Sequence, residues 1–340
     1  MSANKILVTG GTGYIGSHTV VALQQAGYEV VIVDNLSNSK EFILDRITII
    51  TGIKPVFYCV NMCDKTAFSA VFEKENYFDA VIHFAAFKAV GESVKLPLKY
   101  FKNNIDSLLD LLDCMEQYQC RNIVFSSSAT VYDDPVELPL KETTPFQKAL
   151  SAYGSTKQMG EEIIEKVSAA EMIKAISLRY FNPVGAHVSG LIGELPLGVP
   201  GNLMPFITQA AIGKQKQLIV YGNDYDTTDG SCVRDYIYVV DLAEAHVKSC
   251  SRMIANISEA AHEVFNVGTG VGYTVLEVIN AFEKENQIKL NYTIGKRREG
   301  DAQAIFADAT KANSILQWKT EKDLKDMVID SWRWEKGLNK

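Results

Sequence analysis

The chain alternates short, almost uninterrupted apolar runs with longer stretches of helical period. Ile6-Leu7-Val8, Val30–Val33, Val56–Val60, Ala80–Phe84, Asn122–Ser126 and Ala175–Tyr180 each read as a strand. Between them, Ser17–Gly27, Thr66–Lys74, Asn103–Gln117 and Ser151–Ala170 read as helices. A strand that is apolar on both faces must be covered on both, and intervening helices supply the cover. The pattern therefore predicts an α/β fold with a doubly wound parallel sheet. It changes near Asn182. Glycines and prolines crowd 183–205, a polar loop (GNDYDTTDG) runs from Gly222 to Gly230, and later elements shorten, with Val264–Val267 reading as a return to the sheet. The expected division is a first domain over 1–182, to which segments around 235–268 return, and a smaller mixed C-terminal lobe over 183–340, with a cleft between them.

A length of 340 residues allows two lobes and a full core. With 47% hydrophobic and 22% charged residues, the chain falls among soluble globular proteins, which excludes disorder, collagen and coiled coil. A net charge of −7 argues against nucleic acid or an anionic membrane as partner. An anionic ligand must then be met by local donors. Of the six cysteines only Cys59 and Cys63 are close, and no Cys/His pair stands nearby, so no metal site is expected. Scattered cysteines, with no export signal and no apolar span of about 20 residues, read as a reduced, cytoplasmic chain.

Candidate chemistry begins at the first strand–helix junction. Gly10, Gly13 and Gly16 are spaced GxxGxxG in GGTGYIG. Glycines there let the backbone approach a pyrophosphate, whose charge meets the helix N-terminus. Asp34 ends the second strand 18 residues after Gly16, where a carboxylate accepts from an adenosine ribose diol and repels a 2′-phosphate. That favours NAD over NADP. Asn35 and Asn38 follow in the same loop and are candidates to face the adenosine. Tyr153 and Lys157 form a YxxxK pair on one face of a helix for which Ser151 is the expected N-cap. An ammonium beside the phenol, together with a cationic nicotinamide, would lower the tyrosine pKa and make Tyr153 a base near neutral pH. The fifth strand runs into Ser126-Ser127-Ser128-Ala129-Thr130 at the end where ligands bind. Ser128 is the preferred hydroxyl by position and Thr130 the alternative, a plain turn residue being the competing reading of either.

These residues lie within longer segments: GGTGYIGSHT, HFAAFKAVGES, FSSSATVY, YGSTK, LRYFNPVGAH, NLMP, VRDYIYVVDLA and RREGD. Together, over essentially the whole chain, they resemble the UDP-hexose 4-epimerases of the extended short-chain dehydrogenase/reductase family. The resemblance implies a Rossmann-type sheet, tightly held NAD, and reversible epimerisation at C4 of a UDP-hexose (UDP-galactose to UDP-glucose) through a transient 4-keto sugar. It implies Tyr153, Lys157 and Ser128 as catalytic residues, with Ser128 bridging the substrate hydroxyl and Tyr153. It places Tyr14 and Ile15 at the cofactor pyrophosphate. Asn61, with Met62 beside it, falls at the adenine, while Phe84, Ala85, Lys88, Asn103 and Phe181 line the rest of the cofactor. Lys88, Asn182, Asn202, Leu203, Arg234, Arg298 and Asp301 fall at UDP-sugar positions. Of Lys296-Arg297-Arg298, Arg298 is expected to turn inward. A homodimer packed through the two long helices is also implied.

Three positions depart from the family pattern. Asn61 stands where Asp is usual, Asp133 where Gly is usual, and Ile305 where a small residue admits and a bulky one excludes 2-N-acetylated sugars. Activity on UDP-N-acetylhexosamines therefore stays an open expectation. A 4,6-dehydratase of the same fold is the alternative, but Ser128-Ala129-Thr130 lacks the Asp-Glu that such enzymes carry after the catalytic Thr. A non-catalytic nucleotide sensor is a third reading, opposed by the intact Tyr153 and Lys157.

Overall fold

A computed structural model describes residues 3–133, 137–298 and 301–338. Its strands are β1 (Lys5–Thr9), β2 (Glu29–Asp34), β3 (Val56–Cys59), β4 (Ala80–His83), β5 (Asn122–Ser128), β6 (Lys174–Tyr180), β7 (Asn182–Val184), β8 (Leu218–Tyr221), β9 (Val233–Tyr238), β10 (His262–Val267), β11 (Gly272–Thr274), β12 (Tyr292–Gly295) and β13 (Ala304–Ile305). Its helices are α1 (Tyr14–Gln25), α2 (Phe42–Thr51), α3 (Lys65–Glu75), α4 (Val90–Lys95), α5 (Pro97–Gln117), α6 (Ala152–Ala169), α7 (Leu203–Ala211), α8 (Val239–Ile254), α9 (Val275–Asn286), α10 (Thr310–Ile315) and α11 (Leu324–Gly337).

Seven strands form one sheet in the order β10-β6-β5-β4-β1-β2-β3, every pairing parallel. The alternating direction of side chains along each strand divides the core in two. Ile6, Val8, Ile32, Ile82 and Val124 pack on the face covered by α1, α2 and α8, whereas Leu7, Val31, Val81, Ile123 and Phe125 pack on the face of α3, α5 and α6. Burying each such side chain contributes about 1.5–3 kcal/mol. The chain winds outward from β1 through β2 to β3, then crosses to β4 on the other side. The strand order thus reverses between β1 and β4, and the cleft beyond their carboxyl ends is where ligands bind in such sheets.

The remaining strands build small sheets beside that end. β9 pairs β11 antiparallel and β7 and β13 parallel, while β8 and β12 form a two-stranded parallel ribbon. β10 returns as the edge strand of the large sheet, and α8 packs on α1.

Several element bounds differ from the sequence expectation. α1 begins at Tyr14, with Gly13 as its N-cap. α5 begins at Pro97 rather than Asn103, because proline at a first helical position gives up a donor that has no partner there anyway. α2 and α8 were not anticipated as helices.

Candidate active site

The glycine turn is built by close approach. Gly10 has φ +72°, and its N–H donates to Val33 O at 2.8 Å. A Cβ on Gly16 would stand 2.2 Å from Gly10 O, and one on Gly10 would stand 2.9 Å from Ala85 N. Gly13 caps α1 without a side-chain bond, so no side chain competes for the amides of the first turn, beside Tyr14 and Ile15. The Tyr14 hydroxyl donates to Gly185 O at 2.7 Å, which joins this turn to β7. At the end of β2, Asp34 accepts from Thr12 N at 3.2 Å, Leu36 N at 2.9 Å and Ser39 Oγ at 3.3 Å. Four lone-pair positions with fixed donors leave acceptor capacity for a ribose diol. The cradle and the carboxylate fit a dinucleotide with a free 2′-hydroxyl.

The other predicted cofactor residues ring the same strand ends. Asn35 Oδ1 accepts from Ser37 N, and Asn38 is exposed in the same loop. Asn61 is exposed and its Oδ1 accepts from Cys63 N at 3.2 Å, beside buried Met62. Phe84 packs against His246, with ring centroids 4.7 Å apart, and Ala85 N donates to Thr9 Oγ1. Asn103 Nδ2 donates to Asn104 Oδ1 at 3.0 Å. Phe181 is 6% exposed, in an apolar cluster with Ala129, Val131, Tyr132 and Ala307.

Tyr153, Lys157 and Ser128 come together where β5 meets α6. Ser151 caps α6, its Oγ accepting from Gly154 N at 3.0 Å. The Tyr153 N–H donates to Ser93 Oγ on α4 at 3.1 Å. Lys157, 5% exposed, donates to the Ser126 carbonyl, and its Nζ lies 5.8 Å from the Tyr153 ring centroid. Ser128 Oγ accepts from Thr130 N at 3.2 Å, while the buried Thr130 Oγ1 has no partner among the described residues. Burial lowers the Lys157 ammonium to about 8, against the field of Glu161. Burial also pushes the Tyr153 phenol up, and a hydrogen bond with Ser128 opposes that rise. The expected downward shift invokes a cationic nicotinamide beside the phenol and concerns the loaded site. In the chain by itself desolvation wins, and a lower phenol pKa needs positive charge brought in with the cofactor.

The predicted substrate residues are largely paired with one another or with unpredicted acids. Arg234, on β9, donates to Val233 O at 2.7 Å and to Asp301 Oδ1. Glu194 takes Lys88 Nζ at 3.1 Å and Asn202 Nδ2 at 2.6 Å on the same Oε1. Asn202 is also the N-cap of α7, which Leu203 begins, and Asn182 opens β7 opposite Tyr236 on β9. Arg298 does not turn inward. It is exposed, with its guanidinium 4.4 Å from the Tyr221 ring centroid, because that ring at the end of β8 offers it a face. Arg297 likewise lies on Tyr225 and binds Asp224.

Sequence reasoning missed Glu194, which no local pattern marks. It also missed Asp235, a fully buried carboxylate that accepts from Thr269 N, Thr269 Oγ1, Gly270 N and Ala307 N and so fixes the strand carrying Arg234. Glu161 was visible as the residue four after Lys157, but its partners were not. Among the described residues the six cysteines are free, no group of three or more His, Cys, Asp and Glu is placed to hold a metal, and no helix is long and apolar enough to cross a membrane.

The fold and site together define a dinucleotide-binding α/β protein with a tyrosine–lysine centre. Residues 6–268 match the NAD dependent epimerase/dehydratase family, and the chain belongs to that family. A UDP-glucose 4-epimerase of Bacillus subtilis is 50% identical over 331 residues, which cover 97% of this chain and 96% of the relative. Among solved structures, the UDP-glucose 4-epimerase of Stenotrophomonas maltophila with bound NAD and formylated UDP-arabinopyranose superimposes with a TM-score of 0.95 at 45% identity, covering 99% of each chain. That of Bifidobacterium longum with NAD+ and UDP gives 0.93 at 46% identity, covering 98% of each.

Proposed function

We propose that this chain interconverts UDP-galactose and UDP-glucose by NAD-dependent epimerisation at C4 of the sugar, and is thus an isomerase. The observation that carries the reading is the meeting of Tyr153, Lys157 and Ser128 at the carboxyl end of β5, in a family whose glycine cradle and Asp34 suit NAD. When bound, NAD supplies the acceptor and the donor of a hydride at C4. Tyr153 Oη takes the proton of the sugar 4-hydroxyl and later returns one to the same oxygen, once the 4-keto sugar has turned its other face to the cofactor. Ser128 Oγ bridges that hydroxyl and the phenol. Lys157 holds positive charge below the phenol and reaches the nicotinamide ribose. Such positioned proton transfer is worth about 10²–10⁴-fold in rate.

Cofactor contacts are assigned to Gly10, Gly13, Tyr14, Ile15, Gly16, Asp34, Asn35, Asn38, Asn61, Met62, Phe84, Ala85, Lys88, Asn103 and Phe181. The UDP-sugar is met by Lys88, Asn182, Asn202, Leu203, Arg234, Arg298 and Asp301, and an arginine suits the diphosphate because its donors bind two oxygens at once. Residues 1–182, with the return around 235–268, hold the cofactor, and 183–340 mainly hold the substrate. Ile305 pairs with Arg234 across β13 and β9 and packs against the cluster of Phe181, which makes it the residue for a comparison of UDP-galactose with UDP-N-acetylgalactosamine.

The protein is cytoplasmic in this reading and a homodimer. α5 and α6 pack on each other and leave Leu98, Leu109 and Met159 exposed, which supports a four-helix contact between two copies. Sedimentation at micromolar concentration tests it, and a monomer counts against the dimer. The function is tested by incubating purified, NAD-loaded protein with UDP-galactose. UDP-glucose should appear until equilibrium, and no conversion would refute the reading.

A further inference from the structure

Beneath the catalytic pair lies a buried polar network with no part in proton transfer. Glu161 is one helical turn beyond Lys157 on α6, so Tyr153, Lys157 and Glu161 share one face at successive i, i+4 steps. Its carboxylate is 4% exposed and receives Arg179 Nε at 2.9 Å and Nη2 at 2.6 Å, together with the Ser127 hydroxyl. Ser127 directly precedes Ser128, and Lys157 holds the carbonyl of Ser126. Two successive residues of β5, just before the bridging hydroxyl, are therefore tied to two successive turns of α6. Arg179 continues the network through Tyr132 Oη at 2.8 Å, which donates to Asn266 Oδ1 at 2.6 Å. Asn266 Nδ2 then donates to Leu140 O, and Leu140 pairs with the backbone around Ala307, next to Ile305.

A buried Arg–carboxylate pair is weak grounds for stability, since apolar replacements often serve as well. Its position must be explained by what it holds. We propose that Glu161 is a positioning residue for epimerisation: clamped by Arg179 and Ser127, its carboxylate keeps the Lys157 side chain charged and in register with Tyr153 and Ser128. This rests on Tyr153 and Lys157 being the catalytic pair, and it adds a residue that touches neither sugar nor cofactor. A second buried pair provides the control. Arg252 and Glu263 join α8 to β10 through two bonds of 2.8 Å, with no contact to Lys157 or Tyr153.

The groups around the pair hold their charge across the range that matters. His83 on β4, which feels Lys157, is pushed down to about 3 by burial, and His262 on β10, facing Glu161, is also lowered by burial. Tyr180 on β6 and Tyr100 on α5, both facing Tyr153, are pushed far up by burial, and Glu92 on α4 is held low by Tyr100 and Lys99. Arg179 is held above its usual range by Glu161. In the chain by itself, Lys157 is thus the group of this set that changes charge between about pH 7 and 9. Removing the negative charge of Glu161 disfavours the ammonium, so the Lys157 midpoint must fall.

The test follows the ¹³Cε resonance of Lys157 against pH, assigned by its loss in Lys157→Met, alongside the pH profile of kcat/KM for UDP-galactose. Glu161→Gln should lower the midpoint by about one unit and move the alkaline limb of the profile by the same amount. Glu263→Gln should move neither. If Glu161→Gln does not fold, Glu161→Gln with Arg179→Met removes both charges without leaving one unpaired, and a smaller downward shift is expected because the pair removed is net neutral. A Lys157 midpoint unchanged in whichever variant folds would overturn the proposal. A shifted midpoint with an unmoved kinetic limb would instead sustain the coupling to Lys157 and count against Lys157 as a catalytic group.

Discussion

The two sides of the cleft are prepared for their ligands in opposite ways. On the sheet side, the Gly10–Gly16 turn is made of backbone packed to within contact distance, and Asp34 is fixed by three donors from its own surroundings. On the small-lobe side, Arg234 is bound to Asp301, Lys88 and Asn202 share Glu194, and Arg298 lies on Tyr221. In the proposed reading, a diphosphate arriving there exchanges one set of charge-assisted bonds for another. The difference suits a cofactor that stays and a substrate that leaves. Donors already in place cost little to organise for a ligand, whereas paired side chains must first give up the bonds they have.

Three substitutions sharpen the contrast, from the largest effect to the smallest. Gly16→Val drives a Cβ into Gly10 O, which has no flexible side chain to yield. Protein purified with this change should lack bound NAD by absorbance, and full retention would show that the turn is not the cofactor cradle. Arg234→Met should leave NAD retention unchanged and raise KM for UDP-galactose by about 10–100-fold, the loss of about 1.5–3 kcal/mol of charge-assisted bonding. An unaltered KM would remove Arg234 from the substrate site. Glu194→Gln removes the anion that competes for Lys88 and Asn202, and should tighten UDP binding by about threefold, measured by calorimetry. Weaker binding would mean that Glu194 orients those donors instead of restraining them.

What could be read along the chain, and what could not, follows the same division. The apolar runs, the glycine spacing and YxxxK are local patterns, and each lies on a strand, turn or helix face whose geometry is set by its own residues. Ser151 was legible as a cap for the same reason, and its Oγ accepts from Gly154 N. α2 was missed because its N-cap makes no side-chain bond and its buried face is only Ile43, Leu44 and Ile47. The direction of the Tyr153 shift in the chain by itself is not legible, because burial depends on everything packed around the phenol and not on the lysine four residues later. The resting position of Arg298 was not legible because the ring it lies on, Tyr221, is on a strand 77 residues earlier in the chain. Asp235 needs Thr269, Gly270 and Ala307 together before its role appears.

In the proposed reaction Tyr153 moves the proton, in a site that holds its cofactor independently of it. The most direct measurement compares Tyr153→Phe with the parent protein for bound NAD and for conversion of UDP-galactose to UDP-glucose. The phenol body is kept and only the hydroxyl is lost, so NAD should be retained while turnover falls by about 10²–10⁴-fold. Undiminished turnover in that variant, with NAD still bound, would contradict the account.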